Sequence, residues 1–130
     1  MTRGPEIITD YLAALELGEM DRAASFFSEN ARYSHPPYGD EPVGSPRHEV
    51  VGRVAIRDLF GRRGHRPTRH ELQSVVSDGQ HIHLSGVARD EAGELLGSFA
   101  AVATVDAATG DISEYASYVS VPEVWATLDG

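Results

Sequence analysis

The stretch Glu71-Leu72-Gln73-Ser74-Val75-Val76-Ser77-Asp78-Gly79-Gln80-His81-Ile82-His83-Leu84-Ser85-Gly86-Val87 decides the fold. Two segments with the period-two alternation of strands flank an Asp-Gly pair. That dipeptide is favoured in type I′ hairpin turns, which need positive φ at both central positions. The pattern continues outward on both sides, predicting strands over 68–77, 80–89, 94–106 and 111–121. Asp90 to Gly93 and Ala107 to Gly110 supply the other two turns. Four long strands in succession form an antiparallel meander.

Upstream, the period changes to that of helices. Ile7, Ile8, Tyr11, Leu12 and Leu15 recur at helical spacing, Pro5 suits a first turn and Gly18 a stop. A second helix is expected from Met20 to Ser28, closed by Asn30, with Ala23, Ala24 and Phe27 on one side. Ala31 to His35 reads as a short strand with Ala31, Tyr33 and His35 on one face. Pro36 to Val51 holds four of the seven prolines and is expected to be a long irregular loop, a place where lids and binding segments occur. Gly52 to Arg63 predicts a third helix through Val54, Ala55, Ile56, Leu59 and Phe60. Trp125 is expected to anchor the tail by burial.

Helices first and strands later define an α+β class, here a curved, cone-like antiparallel sheet wrapped around three N-terminal helices in a single domain over 1–130. Such a sheet leaves room for one small apolar pocket.

Bulk composition narrows the function. A net charge of −9 opposes nucleic acid, and no apolar run approaches the roughly 20 residues of a membrane span. The N-terminus carries no signal-peptide pattern, so a cytoplasmic location is expected. With no cysteine, thiolate chemistry and disulfides are excluded, leaving histidines and carboxylates. No glycine-rich phosphate loop, serine elbow or zinc-protease motif occurs, and no cofactor is expected. All 11 basic residues are arginine. Arg62, Arg63, Arg66 and Arg69 crowd together with His65 and His70, either to grip an anionic group or as a solvated loop.

The order of elements resembles the nuclear transport factor 2-like superfamily. The resemblance rests also on Tyr11-Leu12-Ala13-Ala14-Leu15-Glu16-Leu17-Gly18 and Gly52-Arg53-Val54-Ala55-Ile56-Arg57-Asp58-Leu59-Phe60, and within the superfamily is strongest to SnoaL-like proteins. It implies a protein that binds a small hydrophobic molecule, as a cofactor-free isomerase, cyclase or dehydratase, or as a non-catalytic binding or dimerisation domain. In the related ketosteroid isomerases, Tyr11 matches the oxyanion-holding tyrosine and His35 the aspartate base before a proline. Phe99 stands where a second oxyanion donor is expected, and Phe27 and Phe60 where further pocket tyrosines lie, so much of that donor network is replaced.

His35 and Tyr11 are therefore the expected catalytic pair, suited to proton abstraction beside a carbonyl. Phe27, Tyr33, Tyr38, Phe60, His83, Phe99, Tyr115 and Ser117 are the expected substrate-binding residues. His81, His83 and Ser85 share a face that the superfamily pattern turns inward. Two histidines at that spacing lack the further ligands a zinc or iron site needs, and no metal is expected. Ile82 and Leu84 would then form an outer apolar patch for a homodimer.

Overall fold

In the computed structural model, residues 5–38 and 40–120 are described. Trp125 lies outside them.

Helix α1 (Glu6–Glu16) buries Ile7, Ile8, Tyr11, Leu12, Ala14 and Leu15. Helix α2 (Met20–Ser25) buries Ala23 and Ala24, and α3 (Arg53–Arg63) buries Ile56, Leu59 and Phe60. In α3 the apolar stripe is narrower than expected, because Val54 points to solvent at 76% exposure.

The strands are β1 (Phe27–His35), β2 (His48–Val51), β3 (Arg69–Asp78), β4 (His81–Arg89), β5 (Leu95–Val105) and β6 (Ile112–Ser120). They form one open sheet in the order β2-β1-β6-β5-β4-β3. It curls around the helices, with α3 packed on β1 and β2 and α1 reaching β3 at the far edge. The predicted meander is present as β3 to β6, all antiparallel. The sheet as a whole is mixed, because β1 pairs in parallel with β6.

Three local expectations are corrected. Helix α2 stops at Ser25 and the strand begins already at Phe27, which pairs with Ile112; the Ile112 amide donates to the Phe26 carbonyl at 2.8 Å. Backbone pairing with β6 thus overrides the helical spacing of Phe27 and the stop signal at Asn30. The proline-rich segment is not wholly irregular, since its last four residues form β2 antiparallel to β1. These residues, His48-Glu49-Val50-Val51, follow the last proline of the segment and are free to enter a ladder.

The third correction concerns the faces of β4. Ile82 and Leu84 are buried in the core, while His81 and His83 face out. An inner row crosses five strands as Ile82, Ala103, Tyr115, Tyr33 and Val50. The adjacent outer row runs Val76, His83, Val102, Ala116, Ser34 and Glu49. The expected binding role of His83 inside the pocket and the dimer patch at Ile82 and Leu84 both fail. Burying two imidazoles and exposing two large aliphatic side chains would reverse the favourable transfer energies.

Gly86 lies where β3 and β4 slip register, between Leu72 and Ser74. A Cβ there would stand 2.1 Å from the Glu71 carbonyl oxygen. That obstacle is backbone and cannot rotate away. Gly86→Ala is expected to destabilise the protein by about 1–3 kcal/mol, seen as a lowered Tm in thermal unfolding.

Candidate active site

Two consecutive prolines end β1 and direct His35 into the space between α1, the end of α3 and the sheet. A cavity of about 120 Å³ opens there, bordered by His35, Tyr33, Arg63, His70, Tyr115 and Ser117 on its polar side. Its apolar side is formed by Leu12, Leu15, Ala88, Leu96, Phe99 and Val119. The volume is close to that of an engineered cavity that admits benzene, so it accommodates the reacting part of a small molecule.

The part-buried His35 imidazole is held by one hydrogen bond, from Nδ1 to the Pro36 carbonyl oxygen at 2.7 Å. A carbonyl can only accept, so Nδ1 carries the proton and, in the neutral ring, Nε2 keeps its lone pair. Burial lowers the His35 pKa to about 4, despite the upward pull of the Pro36 carbonyl, and the charges of Arg63 and Arg47 and nearby His48 add to the lowering. At neutral pH His35 is therefore an unprotonated base.

This shift has a consequence for stability. The unfolded histidine titrates near 6.5 and the folded one near 4, so between those values the unfolded state binds more protons. His35 is without penalty above pH 6.5, and stability is lost as pH falls from there to about 4, by about 3 kcal/mol. Denaturant unfolding of the wild type against His35→Gln across that range is expected to show a steeper acid loss in the wild type.

Tyr33 stacks parallel to His35 at 6.1 Å between ring centroids, and to Tyr115 on its other side at 5.7 Å. Its hydroxyl accepts a hydrogen bond from Tyr11 at 3.3 Å, leaving its own proton to donate. Burial raises its pKa well above the ordinary phenol value, which keeps it protonated, while Tyr11 and the Arg63 charge pull the other way. Burial raises the pKa of Tyr11 and Tyr115 as well.

The expected pair is thus divided. His35 borders the cavity, but Tyr11 does not: it lies behind Tyr33 and Tyr115, 1% exposed, and reaches the site only through the Tyr33 hydroxyl. Phe27 and Phe60 are likewise fully buried, packing on Tyr11 and Tyr33 behind the cavity wall. Tyr33, Phe99, Tyr115 and Ser117 line the cavity.

Tyr38 sits against the outer side of His35 rather than in the cavity wall. Its ring lies 4.9 Å from both His35 and His48, flanked by the Arg63 and Arg66 guanidinium groups at 5.9 and 5.3 Å. Glu41 fixes this segment, accepting from the Tyr38 amide at 2.6 Å and pairing with His48 at 2.5 Å. The Tyr38 hydroxyl is buried without a hydrogen bond of normal geometry. Burial raises its pKa, offset by Arg63, the neighbouring Tyr33 hydroxyl and Arg66.

Two cavity residues were not singled out from the sequence as catalytic. His70, at the start of β3, presents Nδ1 to Glu16 Oε1 at 3.1 Å while its amide donates to the same oxygen. This leaves its Nε2 free of that contact, as in His35, and burial lowers its pKa against the pull of Glu16. Arg63 comes from the last turn of α3. The arginine and histidine cluster therefore divides. Arg63 and His70 reach the cavity, Arg66 pairs with Asp40 at 2.9 Å, and the His65 Nε2 meets the Glu16 carbonyl at 2.8 Å.

The helices, the sheet order and the cavity between them define an α+β protein of the nuclear transport factor 2-like type. A family model for the SnoaL-like domain matches residues 8–115, and the chain belongs to that family. No curated protein sequence matches it. Among solved structures it is similar to a hypothetical protein with a ketosteroid isomerase-like fold from Catenulispora acidiphila, in complex with trimethylamine, at 17% identity and TM-score 0.70, over 95% of this chain and 92% of that one. It is also similar to SalBIII, an epoxide hydrolase/cyclase-like enzyme of pyran ring formation in salinomycin, at 22% identity and TM-score 0.64 over 88% of each chain. A third is an LEH-like epoxide hydrolase from M. tuberculosis, at 17% identity and TM-score 0.65, over 95% of this chain and 85% of that one. At these identities the likeness is one of fold.

Proposed function

We propose that the protein catalyses proton transfer on a small, largely apolar substrate without a cofactor, as an isomerase, cyclase or dehydratase. The observation that carries this reading is His35, whose Nδ1–H is tied to Pro36 while its Nε2 is left as a neutral base beside a partly open cavity. His35 takes a proton from a carbon next to a carbonyl, and the C–H electron pair moves into an enolate. Tyr33, backed by the Tyr11 donor, stabilises the oxygen on which that charge develops. The imidazolium of His35 then delivers that proton at a second position or to a departing hydroxyl, which restores the neutral base. Tyr115, Ser117 and Phe99 shape the pocket around the substrate.

The reading is tested without knowing the substrate. A panel of small cyclic and aryl ketones is incubated with the protein in D2O, and exchange of the α-protons is followed by NMR. Enzyme-dependent exchange in the absence of added metal or cofactor supports the proposal; none across the panel speaks for a binding domain.

The proposal includes a cytoplasmic homodimer. Among the described residues no helix is long and apolar enough to cross a membrane. The outer sheet face carries the exposed Val76 and Val102, with Val51 at its edge, and these replace Ile82 and Leu84 as the apolar patch.

A further inference from the structure

Arg63 is not accounted for by proton transfer alone. Among the described residues its contacts are with its own segment, Nη1 donating to the Gly64 carbonyl at 3.1 Å, and with the Tyr38 ring. No carboxylate among the described residues forms an ion pair with it, although acidic residues outnumber basic ones 20 to 11 in the sequence. Four other arginines are neutralised, Arg22 by Glu19, Arg57 by Asp21, Arg66 by Asp40 and Arg89 by Glu71; of the described arginines without an ion pair, Arg63 is the one that borders the cavity. Among the described residues the cavity that Arg63 borders has no Asp or Glu in its wall, and Glu16 stands behind His70.

A part-buried guanidinium without a counter-charge is costly, and its fork matches a carboxylate in shape and charge. We infer that the cavity takes a small apolar molecule bearing a carboxylate or an equivalent anionic group, held by Arg63 while its apolar body lies against Leu12, Leu15 and Phe99. The inference rests on the cavity being the ligand site of the proposed function, and adds the charge class of the substrate.

The same placement couples binding to chemistry. The Arg63 charge reaches His35, His70, Tyr33 and Tyr38, in each case lowering the pKa. A bound anion cancels much of that field, so the substrate's own charge strengthens His35 as a base.

The test uses benzoate and its neutral counterpart benzamide as probes, with affinity measured by calorimetry and the His35 pKa by NMR. Benzoate is expected to bind the wild type about 10- to 100-fold more tightly than benzamide, as a charge-assisted bidentate contact implies, and to raise the His35 pKa. Arg63→Met should bring the two affinities within about twofold while benzamide binding persists, and Arg63→Lys should keep part of the preference. Equal binding of the two probes by the wild type, no binding of either at millimolar concentration, or a preference unchanged in a folded Arg63→Met would each overturn the inference. His35→Ala is expected to retain benzoate affinity. Benzoate binding by a wild type that exchanges no ketone protons would count against the catalytic reading alone, and ketone exchange without Arg63-dependent anion preference against this inference alone.

Discussion

His35→Ala is expected to reduce α-proton exchange by about 10²–10⁴-fold, the usual contribution of a positioned general base. The fold should survive, because His35 sits at the end of a strand and its one recorded hydrogen bond is local, to Pro36. Removing it does open space beside Tyr38, whose ring packs on it at 4.9 Å, and NMR of the proline-rich segment in both forms checks that its structure is kept. The pH profile separates a base from a structural residue. With a pKa of about 4, the wild type should hold kcat/KM level through neutral pH and lose it tenfold per pH unit only below about 4. A substrate whose charge neutralises Arg63 would move the corresponding limb of kcat upward, since kcat reports the bound enzyme. Residual exchange in His35→Ala should lack the limb. An unchanged rate in the variant would remove His35 from the mechanism.

The second large effect is expected at Tyr33. Tyr33→Phe keeps the ring, its stacking on His35 and Tyr115 and the inner row of the sheet, and deletes only the hydroxyl. Loss of one donor aimed at a developing oxyanion costs about 10²–10³ in kcat, with little change in KM. Tyr11→Phe should cost less, since Tyr11 acts as a positioning residue through the Tyr33 oxygen. Combined in Tyr11→Phe/Tyr33→Phe, the two substitutions should cost no more than Tyr33→Phe alone, because Tyr11 has nothing left to support. Additive effects would instead mean that Tyr11 meets the substrate itself.

Much of the fold is legible in residues close together in sequence. The Asp78-Gly79 turn and the alternation around it mark the meander, and the 3.6-residue spacing from Ile7 to Leu15 marks α1. What the sequence leaves hidden depends on distant partners. The parallel joint of β1 to β6 links residues some eighty positions apart, and it converts Phe27 from a helical to a strand residue. The four residues of β2 are too few to show a period against the prolines before them. On β4 the signal was present in the chain: Ile82 and Leu84 are the apolar members of the alternation, and hydrophobicity alone turns them inward.

The site was legible as a neighbourhood more than as a pairing. Positional likeness brings out His35, Tyr33, Phe99, Tyr115 and Ser117, which the fold gathers around one cavity. It also selects Tyr11, which Tyr33 and Tyr115 separate from the cavity. Arg63 and His70 were visible only as members of a charge run. What distinguishes them from Arg66 and His65 is their partners, and those partners, Glu16 and Asp40, lie far away in sequence.

The central claim is that a neutral His35 offers Nε2 to the cavity, and ¹⁵N NMR of the histidine side chains tests it most directly. At pH 7 the account predicts a protonated Nδ1, an unprotonated Nε2 and a titration midpoint near pH 4 that is absent from His35→Gln. A proton on Nε2, or a midpoint near the ordinary 6.5, would contradict it.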